Sequence, residues 1–433
     1  MFKKILGTIG TRLIGAALTL IIWIMVARFL GAVNLGTISL IILAVTIIQL
    51  FTGFFGGSSI IFMTPRVGIY KLFFPAYLWS IVITFTSSGL LLFLSVISKR
   101  MEIIPTGYFW EVLVLGILMS LVSVNSMLLL GQEKIKAFNI LSLIQVGMLF
   151  ILLLGSLFVF NSRSVMTYYW SILFSFLITF IASFVKLFPS FKKVPLTGMK
   201  KLMGEVLRYG TYVQFANIFQ QLNYRLSYYI IDFFLGRGVL GVFTIGVQLS
   251  EGLWLVPRSI GMVQLTRISN EMNHRYATSL SLTMMKISWI ITLFILMLLL
   301  LFPTSLFQFI FGKEFSDIKI VIASLGTGIV TLSVSIILSQ FFSGINKPFH
   351  NTISSAIGLV FTLGFGFILI PKWGLVGAGI TSSISYTIAT IYQFIVFVRM
   401  TKLSFRDFLL KKSEIILFWD EAKKFFRVNG SGN

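Results

Sequence analysis

Gln214, Asn217, Gln221, Arg225, Tyr228 and Asp232 follow one another at steps of 3, 4, 4, 3 and 4 residues, which places all six on one face of a helix. Gln220, Asn223 and Tyr224 widen the stripe. Amides and phenols of this kind exchange hydrogen bonds with hydroxyl groups, and an arginine adds a permanently charged planar fork that grips phosphate oxygens in two places. Thr244, Gln248, Glu251 and Arg258 recur at steps of 4, 3 and 7, again one face. Near the start of the chain Thr8, Arg12, Gly15 and Thr19 are helically spaced, with Arg28 further along and Gln49 beyond it. Four arginines against Asp232 and Glu251 make this set net cationic. Arg12, Arg28, Arg225 and Arg258, with Gln214, Asn217, Gln221, Tyr228 and Gln248, are therefore candidates to bind an anionic, hydroxyl-rich substrate such as a phosphate joined to a sugar. Plainer readings stay open beside this one. Arg225 can be a buried partner of Asp232 or Glu251 that fixes helix register. Arg28 can snorkel to the outer interface, and Arg12 and Arg258 to the cytoplasmic headgroups.

The elements that must position these groups lie in lipid. Of the 433 residues, 57% are hydrophobic and 11% charged, and the mean hydropathy of +0.97 excludes a water-soluble domain with one core. Apolar runs long enough to cross a hydrocarbon layer of roughly 30 Å recur throughout. They are too long for barrel strands and predict an all-α polytopic fold of about twelve transmembrane helices: 5–30, 36–63, 75–98, 109–131, 139–160, 168–187, 208–235, 239–265, 286–302, 319–343, 351–370 and 375–399. The first run is too long for a signal peptide and is expected to be retained. An arginine or aspartate at bilayer depth costs about 2.5–3.5 kcal/mol on the insertion scale and normally faces protein or a wet cavity. The stripe over 214–232 is thus expected to line a central, water-accessible crevice.

The formal charge of +22 does not call for nucleic acid. Basic residues crowd alternate loops, among them Lys134, Lys192, Lys193, Lys200, Lys201, Arg267 and Lys347, which by the positive-inside rule puts those loops and both termini in the cytoplasm. Cysteine is absent, so disulfides and thiolate chemistry are excluded. His274 and His350 fall in separate expected loops, and no metal site is anticipated. No phosphate-binding G-x-x-x-x-G-K-[ST] loop occurs, which argues against direct ATP hydrolysis, and no catalytic pair converges on the longest outer breaks, Lys99 to Tyr108 and Pro303 to Ile318, so a non-enzymatic carrier without a cofactor is expected. If protons or sodium drive the step, Glu251 is the first candidate for the coupling site and Asp232 the second.

One short phrase occurs twice. Phe29-Leu30-Gly31, three residues, then Leu35-Gly36 recurs as Phe234-Leu235-Gly236, three residues, then Leu240-Gly241, a displacement of 236 − 31 = 205. Gly131 and Lys134 likewise match Gly344 and Lys347, at 344 − 131 = 213. Six helices per copy is an even number, so the halves are parallel repeats around a midline. The expected division is a six-helix lobe over 1–188, a cytoplasmic linker over 189–207, a second six-helix lobe over 208–402 and an amphipathic cytoplasmic tail over 403–433.

This arrangement, with Ala27-Arg28-Phe29-Leu30-Gly31 to Leu35-Gly36 at the first hairpin and Gly374-Leu375-Val376-Gly377-Ala378-Gly379-Ile380 opening the last helix, resembles the Wzx-type polysaccharide flippases for O-antigen or capsule. These belong to the multidrug, oligosaccharidyl-lipid and polysaccharide exporter (MOP) superfamily. The resemblance covers about residues 1–402. It implies alternating-access translocation of an undecaprenyl-pyrophosphate-linked oligosaccharide across a bacterial inner membrane, with Arg12, Arg225 and, more weakly, Arg28 and Arg258 meeting the pyrophosphate. It also implies membrane lipids, and a polysaccharide polymerase with other assembly proteins, as partners. Three alternatives stand beside it. A multidrug exporter of the same superfamily would want an acidic residue early in the first helix, where this chain has Arg12 and Arg28. A lipid II flippase usually has two more helices, and a membrane polymerase or ligase would need a larger outer loop.

Overall fold

Apolar chain in lipid has no water to bond its backbone and must satisfy it internally. Accordingly, in the computed structural model, which describes residues 2–98, 102–190, 199–270, 274–403 and 407, every regular element is helical. The helices are α1 (Phe2–Thr52), α2 (Gly57–Val67), α3 (Ile69–Ser98), α4 (Phe109–Gly131), α5 (Ile135–Phe158), α6 (Val165–Leu187) and α7 (Met199–Leu235). They continue with α8 (Arg237–Gly252), α9 (Leu255–Asn270), α10 (His274–Leu301), α11 (Thr304–Phe311), α12 (Ile318–Gly344) and α13 (Phe349–Thr401). Among the described residues, eight are long and apolar enough to cross a membrane, or nine when the bent pair α8 and α9 counts as one span. The chain is a multi-pass membrane protein.

Two helices are too long for a single crossing. At a rise of 1.5 Å per residue the 51 residues of α1 would measure about 75 Å. Gly31 breaks it with φ 82° and ψ 170°, a conformation that side chains with a Cβ resist. Gly374, at φ 57°, breaks the 53-residue α13 in the same way.

Elsewhere the structure departs from the expected spans. The run expected over 36–63 is interrupted by a 3-10 turn at Gly53–Phe55 before α2 resumes. The run expected over 239–265 bends by 42° between α8 and α9. Here Leu253 and Trp254 N–H close short bonds onto Ser250 and Glu251 carbonyls, the tightening that ends a helix. Helix α10 begins at His274 rather than 286, because its first turns are polar and hydropathy does not register them. The short α11 falls in a stretch expected to be loop, and buries Phe307 and Phe311 on one face.

The chain divides into two compact units. The first comprises Met1–Val247, Pro303–Val321 and Leu363–Ala378, and the second Gln248–Phe302, Ile322–Thr362 and Gly379–Asn433. The first unit has a core over Phe55, Ile60, Leu72, Leu128, Leu187 and Val206. In the second, Ile268, Met285, Ile337, Phe341, Phe342 and Phe397 pack together. Met199–Leu207, expected to belong to a linker, is helix continuous with the rest of α7. The expected amphipathic tail lies outside the described residues except at Leu403 and Asp407.

Candidate functional site

Helix α7 carries the six-residue polar stripe without interruption, and its residues are engaged in three groups. At one end Gln214 is buried and its Nε2 donates to the Leu50 carbonyl of α1 at 2.8 Å. Asn217 donates to Gln214 Oε1 at 3.2 Å and is itself exposed, as is Gln220, which donates to the Tyr224 hydroxyl at 3.2 Å. In the middle, Arg225 Nη1 donates to the Tyr228 hydroxyl at 2.9 Å, and its guanidinium carbon lies 5.3 Å from the centre of that ring. Tyr228 is buried edge-on against Phe243, 5.7 Å between centroids. Gln221 and Arg225 are half-buried and line a recess with Thr46 and Leu50 of α1. Its cavity volume of about 10 Å³ admits one water. One turn before Gln214, Thr211 joins Phe51, Phe54, Trp79, Leu90 and Leu207 in lining a mostly apolar crevice of about 440 Å³ that also includes Thr86 and Ser87.

At the far end of α7 the structure joins Asp232 to Arg237, Glu102 and Thr106, which sequence reasoning missed. Asp232 accepts from Arg237 Nε at 3.3 Å. Arg237 also pairs with Glu102 and donates to Thr37 Oγ1 at 3.3 Å. Glu102 accepts in addition from the Thr106 N–H at 3.2 Å and hydroxyl at 2.9 Å. Tyr229 donates to the Ile103 carbonyl at 3.3 Å. Arg237 falls between the spans expected over 208–235 and 239–265, and nothing in its spacing ties it to Glu102, 135 positions away.

The remaining candidates are scattered. Arg28 is exposed, donates to the Phe309 carbonyl and lies 5.7 Å from the Phe309 ring centre. Arg12 belongs to α1, but its side chain lies outside the described residues. In the second unit, Gln248 and Glu251 are half-buried on α8 and Glu251 stands one residue before that helix ends at the bend. Arg258 is exposed over Trp254, 5.6 Å from the ring centre. The structure thus gathers Gln214 with Asn217, Arg225 with Tyr228 and Asp232 with Arg237.

Folds similar to this one have been solved. An inward-facing multidrug resistance MATE transporter of the MOP superfamily superposes with a TM-score of 0.72 at 16% identity, over 90% of this chain and 94% of that one. The inward-closed lipid II flippase MurJ gives 0.69 at 14%, over 93% and 89%. The fold is that of MOP-superfamily transporters. Another such transporter, from Pyrococcus furiosus, gives 0.61 at 15% over 92% and 94%, and is described as having a binding pocket of reversed polarity that suggests a different function. No profile of a known protein family matches the chain. Curated relatives match in part. An uncharacterized membrane protein, MJ1068, of Methanocaldococcus jannaschii is 28% identical over 236 residues, 54% of this chain and 46% of that protein. The capsular polysaccharide biosynthesis protein CapF of Staphylococcus aureus is 28% identical over 190 residues, 43% and 48%. The chain therefore aligns with less than half the length of either relative.

Proposed function

We propose that this MOP-fold chain carries a polyprenyl-pyrophosphate-linked oligosaccharide across a bacterial cytoplasmic membrane by alternating access. The observation that carries the reading is the polar face of α7. Asn217 and Gln220 are exposed, and Gln221 and Arg225 half-exposed, on a helix flanked by apolar spans. Polar groups at bilayer depth face water or protein, because hydrocarbon offers them no partner. In this reading α7 is a span whose open face meets an aqueous crevice. Adding α7, and dividing α1 and α13 at their glycine breaks, takes the nine candidate spans to the twelve expected.

The chemistry of that face suits the cargo. The Arg225 fork provides charge-assisted bonds for pyrophosphate, amides along the same ridge suit sugar hydroxyls, and the mostly apolar crevice at Thr211 offers a surface for the isoprenoid. The partial match to a capsule-biosynthesis protein agrees in substrate class. Both termini facing the cytoplasm follows from the basic loops. The cationic balance of Arg12, Arg28, Arg225 and Arg258 over Asp232 and Glu251 disfavours a cationic drug as cargo, although the multidrug transporters share the fold. Glu251, at the break between α8 and α9, is where an ion would couple to bending.

The test is reconstitution in vesicles with a fluorescent pyrophosphate-linked oligosaccharide. Arg225→Ala is expected to slow flipping at least tenfold, the equivalent of losing a hydrogen bond to a charged group, and Arg225→Lys to retain part of the rate. Equal flipping by wild type and both variants rejects the assigned role. Transport of cationic dyes but not the lipid-linked probe replaces this reading with the multidrug one.

A further inference from the structure

The duplicated phrase marks a contact between its own two copies. Gly31 and Gly236 both take positive φ, 82° and 81°, so in each copy one helix stops and the next begins at Ala32 or Arg237. Five residues after each break stands another glycine. A Cβ on Gly36 would lie 2.0 Å from the backbone oxygen of Arg237, and a Cβ on Gly241 would lie 2.0 Å from that of Ala32. Residues 36 and 241 differ by 205, and so do 32 and 237. Residue i of one copy therefore meets residue j of the other, and j meets i, which is the signature of a two-fold, self-complementary contact. No side chain fits between the backbones there, since any Cβ atom would overlap an oxygen.

The clamps on this contact are also related by the repeat. Glu314, just after α11, accepts the Ala32 N–H on Oε2 at 2.7 Å. Glu102, just after α3, pairs with the Arg237 side chain. The two carboxylates are 314 − 102 = 212 positions apart, against 213 for Gly131 and Gly344, which end α4 and α12. Each copy's glycine break is thus held by a carboxylate from the loop region between the third and fourth spans of the other half. Thr37, Asp232 and the Tyr229 bond to Ile103 surround the Arg237 end.

We propose that the two Phe-Leu-Gly phrases form a pseudo-two-fold latch, closed in this structure, in which glycine-to-backbone contacts and paired carboxylates hold the two sequence halves together at the face expected to be outer, and which parts once in every transport cycle. The latch rests on the alternating-access reading, and not on the identity of the cargo. Glycine at 36 and 241 is needed for closure, and the charged clamps make closure reversible, because ions released on opening regain water.

The chain has no cysteine, so it accepts a reporter pair directly. A Cβ on Gly238 would lie 3.6 Å from Val33 Cγ2, so side chains at the two positions touch and a cysteine pair there tests for cross-linking. In reconstituted Val33→Cys/Gly238→Cys protein, oxidation is expected to lock the latch and stop transport of the lipid-linked probe, with recovery on reduction. Spin labels on the same pair read the distance with no substrate present. A short-distance population is expected in the wild-type background, with a longer one rising about tenfold in relative weight when Gly36→Ala or Gly241→Ala forces a methyl against a carbonyl oxygen. Gly89→Ala, whose added methyl meets nothing within 4 Å, is expected to leave the distances unchanged. Undiminished transport by the oxidised pair, or one short distance in every variant, overturns the latch. Failure of the reduced protein to move the probe, with two distance populations present, overturns the cargo assignment and leaves the latch standing.

Discussion

Glu102 is a loop carboxylate whose titration the structure ties to a gate. Partial burial pushes its pKa up, but the Thr106 N–H and hydroxyl and the Arg237 guanidinium together outweigh that, and it falls below its ordinary value of 4.5. A carboxyl lowered on folding adds stability that is fully present above its unfolded pKa and is lost as pH falls through the lowered one. Among the described residues, Arg237 and Thr106 bond to it and Asp232 acts on it through charge. The closed fraction of the spin-labelled latch is therefore expected to be flat from about pH 8 to about pH 5 and to fall below the ordinary carboxylate range. Glu102→Gln should lower the closed fraction at neutral pH and shrink the acid step. An unchanged acid step in that variant would remove Glu102 from the clamp.

At the scale of elements, the second unit depends on how closely α12 and α13 approach. A Cβ on Gly379 would lie 1.8 Å from Ser324 Oγ, and one on Gly328 would lie 2.6 Å from the Ser383 Cα. Small residues let helix backbones approach, and hydroxyls then bond across the seam. Ser383 Oγ donates to the Ser324 carbonyl at 2.7 Å, Ser335 to Gln393 Oε1 at 2.6 Å, and Gln393 in turn to Ser339 Oγ at 3.0 Å. Gly379→Val is expected to destabilise the protein by about 1–3 kcal/mol through overpacking, seen as a lower unfolding midpoint in detergent. Gly364→Val, on the same helix with nothing within 4 Å of the added carbon, should change the midpoint little. Equal midpoints for the two variants would show that the seam tolerates separation.

For the molecule as a whole, transport requires that water reach the ridge on α7. Asn217 is exposed, so Asn217→Cys in the cysteine-free chain is expected to react with a membrane-impermeant maleimide added from the side of the basic loops. The lipid-linked probe should protect it, and locking the latch closed should leave it reactive. Absence of labelling from either side of the membrane would mean that the ridge meets lipid or a dry core, and the transport reading would fail with it.

What the sequence determined by itself was the solvent and the period. Long apolar runs specify helices in lipid whatever their neighbours do, and a 3.6-residue spacing puts Gln214 through Asp232 on one face before any contact exists. The repeated phrase was legible for the same reason, since duplication leaves its mark in residue order. What only the tertiary structure decided was which distant groups meet. The pairing of Arg237 with Glu102, the Ala32 N–H on Glu314, and the reciprocal seating of Gly36 and Gly241 join residues 135 to 282 positions apart, or copies of the phrase 205 apart. Spacing along one helix carries no information about a partner on another chain segment. The break at Gly53–Phe55 and the bend after Gly252 were hidden too, because hydropathy averages over a span and does not resolve where its backbone bonds change partner.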